Sequence, residues 1–151
     1  MTDIRAAYDL TKRALLAERT REGHWEGYLS SSALSTATAV SALCAVSRTQ
    51  LKVSGTLTPL RCLTPLVDGG ARWLVEHQNG DGGWGDTTDS PSNLATTLLA
   101  RAALAMADAA QASGGDASHR APLRIAIERA EEWITPHAGA TTAERIAALR
   151  E

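Results

Sequence analysis

The chain contains no phenylalanine, and four tryptophans and two tyrosines supply all of its aromatic side chains. A core built this way rests on Leu and Ala, so its helices should pack closely through small side chains. Long apolar runs are also missing. None reaches the roughly 18 residues needed to span a bilayer. The two cysteines, Cys44 and Cys62, sit in apolar surroundings without Cys-x-x-Cys spacing. That excludes a disulfide scaffold and fits buried thiols in a reducing cytoplasm. An excess of basic charge is absent as well, with Lys+Arg 15 against Asp+Glu 17 and a net charge of −2. Nucleic-acid binding is therefore not expected. The start Met1-Thr2-Asp3-Ile4-Arg5 lacks the apolar segment of a secretory signal, which again points to the cytoplasm. What remains is a globular chain of 151 residues, 44% hydrophobic, about the size of one domain.

The apolar periodicity is helical throughout. Ile4, Tyr8, Thr11 and Leu15 line one face of a helix over 3–18, with Arg5, Asp9 and Arg13 on the other side. A second helix, about 32–47, carries no charge anywhere between Glu26 and Arg48, so it should be buried on more than one side. Residues 51–58 read as a connection. Thr64-Pro65 predicts the start of a third helix, with Thr64 as N-cap, although Gly69-Gly70 weakens its middle. Ser90-Pro91 repeats that signal for a fourth helix to about Gln111, with stripes Leu94, Leu98, Ala102, Ala105 and Leu99, Ala103, Met106. After a loop over 112–118, Pro122 opens a fifth helix to about Ile134, and Thr141-Thr142-Ala143-Glu144 has the capping-box pattern of a sixth. Outer, half-polar helices thus alternate with inner, nearly uncharged ones. The fold class expected is all-α.

Trp25 precedes Trp84 by 59 residues, and Trp73 precedes Trp133 by 60. Self-similarity at a period of about 60 marks a repeat architecture of helical hairpins, with units near 1–59 and 60–119 and an incomplete third over 120–151. An array of two and a half units leaves apolar edges, and the ending Leu149-Arg150-Glu151 has no cap. Both features make the chain look like the beginning of something longer.

Gln78-Asn79-Gly80-Asp81-Gly82-Gly83-Trp84-Gly85 is the densest signal, and as a Gly-rich acidic loop it first invites a ligand. Asp81, Asp86 and Asp89 do not share a helix face, as an aspartate-rich magnesium motif requires, and no Glu closes a calcium loop. Turn and N-cap carboxylates are the plainer assignment. His24, His77, His119 and His137 do not fall at zinc-ligand spacings with the cysteines, and no Gly-x-Ser-x-Gly elbow exists. No residue can be nominated as catalytic, cofactor-binding or metal-ligating. A structural reading of the loop is self-sufficient: Gln78 can cap orphan groups at the start of the next helix, Gly82, Gly83 and Gly85 permit positive φ, and Trp84 can cover the turn.

Arg72-Trp73-Leu74-Val75-Glu76-His77-Gln78, followed by Gly82-Gly83-Trp84, resembles the QW repeat of the squalene-hopene and oxidosqualene cyclase family. Asp68-Gly69-Gly70-Ala71 departs from the basic-plus-small start usual there. A degenerate first copy has Ala14 for the aromatic and Arg19 for the Gln, but keeps Gly23-x-Trp25. Gly27-Tyr28-Leu29-Ser30-Ser31-Ser32-Ala33-Leu34-Ser35-Thr36-Ala37 and Asp89-Ser90-Pro91-Ser92-Asn93-Leu94-Ala95-Thr96-Thr97 look like the bacterial members. The resemblance covers nearly the whole chain and implies an N-terminal piece of a partial α/α-toroid (α6/α6-barrel type). In it Trp73, Gln78, Gly82 and Trp84 would form a structural clamp, with Gly23 and Trp25 as its weaker echo.

It also implies a parent enzyme that cyclises a polyprenyl substrate such as squalene, without cofactor, from the surface of the inner membrane face. The family's proton donor is an Asp-x-Asp-Asp motif, and Asp86-Thr87-Thr88-Asp89 has the wrong spacing for it. The piece is therefore expected to be inactive alone. Two other classes remain open: a stand-alone helical repeat module binding a partner or apolar ligand, and a subunit like those of the protein prenyltransferases, whose Asp/Cys/His zinc site cannot be placed here.

Overall fold

The computed structural model describes residues 3–27, 30–53, 63–111 and 117–150, and at 48–53 and 117–119 the backbone alone. Cys62, residues 54–58 of the expected connection over 51–58, and residues 112–116 of the expected loop over 112–118 lie outside the described residues. Among these residues the chain is all-α, with six helices: α1 (Ile4–Ala17), α2 (Ala33–Val53), α3 (Thr64–Glu76), α4 (Leu94–Gln111), α5 (Ala117–Ala138) and α6 (Thr142–Ala148). It divides into two compact units, Met1–Ser30 and Ser31–Glu151.

In the first unit, α1 is started by Asp3, whose carboxylate accepts from the Arg5 N–H at 2.9 Å. The helix buries no residue. Its apolar face of Ile4, Tyr8 and Leu15 is exposed. The turn that follows is closed by Thr20 N–H to the His24 carbonyl at 2.8 Å and by Gly23, at φ 92°, to the Thr20 carbonyl at 3.1 Å.

In the second unit α4 lies between α2 and α5, while α3 packs on α2 and also meets α4 and α5. Alanine makes up over half of the buried apolar set, which is how a chain without Phe closes its core. Gly70 shows the consequence. A Cβ there would stand 2.5 Å from Val40 Cγ2, so this glycine lets α3 lie against α2 and does not break the helix.

Four boundaries differ from the sequence reading. The second helix runs past Ser47 and into the expected connection, to Val53. The third begins at Thr64 itself: Leu63 is the N-cap, no side chain caps it, and Pro65 needs no donor in the first turn. Ser90-Pro91 does not start the fourth. Asn93 does, its side-chain oxygen accepting from the Thr96 N–H at 2.9 Å. The fifth extends past both prolines, because Pro122 and Pro136 each delete one backbone donor without ending the helix. It stops at Gly139, φ 82°, whose N–H returns to the Thr135 carbonyl at 3.0 Å. The capping box of the sixth forms as expected between Thr141 and Glu144.

The buried stripe of α4 is also different: Thr96, Thr97, Ala100, Ala103, Leu104 and Ala107, with Ala102 exposed. At the far end of α5, Glu131 receives Arg101 of α4 and Arg145 of α6, which joins three helices through one carboxylate. No helix among the described residues is long and apolar enough to cross a membrane.

Candidate functional site: the turn after α3

α3 ends in an aromatic stack. The His77 ring lies 4.0 Å from the Trp73 ring at 15°, with Nδ1 2.8 Å from the Trp73 carbonyl oxygen. A carbonyl only accepts, so Nδ1 carries the proton. Trp133 and His137 repeat the pair at the end of α5, again 4.0 Å apart and at 11°.

Gln78 comes next and faces two ways. Its amide Nε2 donates to the Gly82 carbonyl at 2.8 Å and to the Ala126 carbonyl of α5 at 2.9 Å. Its Oε1 accepts from Arg129 of α5 at 3.0 Å. The same guanidinium donates to the carbonyls of Asn79 and Gly80, each at 3.2 Å. Gln78 thus reaches the body of the following outer helix, and not the start of the next one as the sequence led us to expect.

The turn is closed by Asn79 N–H to the Gly83 carbonyl and Gly82 N–H to the Asn79 carbonyl, both 3.0 Å. Of its glycines only Gly82 has a positive φ, 95°, and a Cβ there would meet the Arg129 carbonyl oxygen at 2.7 Å. Gly83 and Gly85 are required for a different reason. A Cβ on Gly83 would strike Ser92 at 2.6 Å, and one on Gly85 would strike the backbone of Ser90 and Pro91.

Trp84 is completely buried. Its indole N–H donates to the Leu74 carbonyl at 2.9 Å, and its backbone N–H donates to Thr97 Oγ1 at 3.0 Å. The hydroxyl of Thr97 in turn donates to the Trp84 carbonyl at 3.2 Å. These bonds explain why Thr97 sits in the buried stripe of α4, and its neighbour Thr96 is satisfied there by donating its hydroxyl to Asp86 Oδ1.

Asp81 and Asp86 are held inside this network. Asp81 Oδ1 accepts from Gly83 N–H at 3.0 Å and Ser92 Oγ at 2.7 Å, and Oδ2 accepts from the Trp133 indole at 3.1 Å. Desolvation raises its pKa, but the donors Gly83, Ser92 and Trp133 together outweigh that and hold it below its ordinary value. Asp86 is lowered too, first by Thr96 and then by Asn93, which donate at 2.5 and 2.8 Å. No group of three or more His, Cys, Asp or Glu among the described residues could hold a metal ion. An open cleft of about 490 Å³ lies beside α3, lined by Asp68, Arg72, Glu76 and Gln111 together with Val75, Pro122 and Leu123.

Of the residues singled out in the sequence, Gln78, Gly82 and Trp84 come together in this one turn, while Trp73 stacks on His77 one turn earlier. Gly23 and Trp25 build a matching turn in the first unit, where Arg19 takes the place of Gln78 and donates through Nε to the Gly23 carbonyl at 2.7 Å. Sequence reasoning missed Asn93, Thr97 and Arg129. Asn93 could have been found as an N-cap type just before the apolar run. Arg129 carried no signal.

An all-α chain whose second unit packs α4 between α2 and α5 and bonds α3 to α5 through a Gln-Gly-Trp turn is of the α/α-toroid class. The family model described as squalene-hopene cyclase N-terminal domain matches residues 9–147, and the chain belongs to that family. No solved structure matches it significantly.

Proposed function

We propose that the chain serves as the N-terminal wall sector of a squalene-hopene-cyclase-like isomerase and supplies structure, not chemistry, to polyprenyl cyclisation. The observation that carries this reading is Gln78, which ties the end of α3 to Ala126 and Arg129 in the middle of α5. A bond of this kind fixes the spacing of neighbouring outer helices and holds a curved wall to its radius. Trp73, Gln78, Gly82 and Trp84 form the clamp, and Gly23 with Trp25 forms its simpler counterpart.

The electrostatics support a role without a proton donor. Protonating an alkene takes a carboxylic acid kept neutral, and so with a raised pKa. Asp81, Asp86, Asp108, Glu131 and Glu144 are all shifted the other way, toward the ionised form. The open cleft beside α3 sets the charged side chains of Asp68, Arg72 and Glu76 among its apolar lining of Val75, Pro122 and Leu123, a mixed and solvent-open lining that does not enclose a hydrocarbon chain. In this reading the substrate class is squalene or a related polyprene, the product class a triterpenoid such as a hopanoid, and the working location the cytoplasmic membrane face.

The test is incubation of the purified chain with squalene in detergent micelles and analysis of the extract by gas chromatography. Recovery of unchanged squalene is expected. Formation of hopene or any other cyclised product would overturn the assignment.

A further inference from the structure

Asn79 and Gly80 carry a chemistry that the clamp does not use. Asparagine before glycine is labile because the glycine nitrogen, with no Cβ beside it, can attack the side-chain amide carbon. Here the nucleophile is available. Gly80 is exposed, its N–H makes no hydrogen bond among the described residues, and nothing lies within 4 Å of the place a Cβ would occupy. The electrophile is restrained. Asn79 Nδ2 donates to the Ser90 carbonyl at 3.2 Å and to Ser92 Oγ at 3.0 Å. Its backbone is pinned on both sides, by N–H to the Gly83 carbonyl and by its own carbonyl to Gly82 and Arg129.

We propose that Asn79-Gly80 is a deamidation site gated by this turn, protected while the Asn79 amide is bonded to Ser90 and Ser92 and reactive once the turn opens. In the reaction the Gly80 nitrogen bonds to Asn79 Cγ, the Cγ–Nδ2 bond breaks, and the proton from Gly80 leaves with ammonia. Water then opens the succinimide ring at either carbonyl and yields an aspartyl or isoaspartyl linkage. Neither product restores the two bonds that the Asn79 amide donates to Ser90 and Ser92. A carboxylate at position 79 would face the Ser90 carbonyl oxygen as acceptor against acceptor, and the isoaspartyl form adds a methylene to the backbone. The adjacent Asp81-Gly82 is closed to the same route, because the Gly82 N–H is already bonded to the Asn79 carbonyl.

The experiment follows deamidation by peptide mapping, using the mass change when –NH2 is replaced by –OH, in mildly alkaline buffer. It compares the native chain with the same chain unfolded in urea. The native rate should be roughly tenfold or more below the unfolded one, the protection that a local opening free energy of that size confers. Ser92→Ala, checked as folded by circular dichroism, should move the native rate toward the unfolded value. Gly80→Ala should slow the reaction in both states. Equal rates in the native and unfolded chains, or no deamidation in urea, would overturn the proposal.

Discussion

The indole N–H of Trp84 donates to the Leu74 carbonyl, ten residues earlier, at 2.9 Å, and the indole of Trp25 does the same to Leu15 at 2.6 Å. The surrounding bonds correspond as well. Asn79 to Gly83 matches Thr20 to His24, Gly82 to Asn79 matches Gly23 to Thr20, and the glycines share φ values of 95° and 92°. One difference separates the copies: Trp84 is fully buried, whereas Trp25 is 47% exposed. Trp84→Ala should therefore destabilise the chain by about 3 to 5 kcal/mol, the usual loss for a buried aromatic. Trp25→Ala should cost far less, and urea unfolding of the two variants reads the contrast directly.

Gln78 and Arg129 act as one unit. Gln78→Ala deletes bonds to two backbone carbonyls and strips Arg129 of its side-chain acceptor, so a loss of about 1 to 3 kcal/mol is expected. Because the two side chains touch, the double variant with Arg129→Ala should fall short of additivity by about 0.5 kcal/mol or more. Strict additivity in urea melts would show that the long-range link contributes nothing.

The glycines of the turn should separate by cause. Gly82→Ala meets a positive φ and a backbone oxygen at 2.7 Å, so the conformational term alone should cost roughly 1 to 2 kcal/mol. Gly80→Ala faces open space and should stay within about 0.5 kcal/mol of wild type. Thermal melts of the pair test the assignment, and similar losses at both sites would contradict it.

The parts of this architecture that could be read in the sequence are those set by local pattern. Apolar periodicity together with cap signals located the six helices of the described residues, the Thr141–Glu144 box formed as spelled, and the Gln-Gly-Trp spacing pointed to the family. The misreadings have a physical origin in packing contacts that a local pattern does not show, some close in the chain and some distant. Ser90-Pro91 looks like a helix start by itself, but its carbonyls are held against Gly85, and Asn93 takes over as cap. Gly69-Gly70 looks like a weakness until Val40 appears beside Gly70. Arg129 is an ordinary polar residue on an outer helix in sequence, and only the fold brings it to Gln78, 51 residues away.

Acid should loosen the turn in a defined direction. Asp81 and Asp86 have folded-state pKa values below their ordinary 3.8, lowered by donors that need the ionised carboxylate. A group depressed in the folded state adds stability above its unfolded value, and that stability is lost as pH falls through the folded value. Glu131 and Glu144, lowered from 4.5, act in the same sense. Stability should thus be level with respect to these groups above the ordinary carboxylate range and fall steadily below it. Asp81→Asn removes one contributor, so the variant should be less stable than wild type at neutral pH and show a shallower acid decline. The Trp133 indole, bonded to Asp81 Oδ2, supplies a fluorescence readout of that local change. A variant with the same acid slope as wild type would remove Asp81 from the linkage.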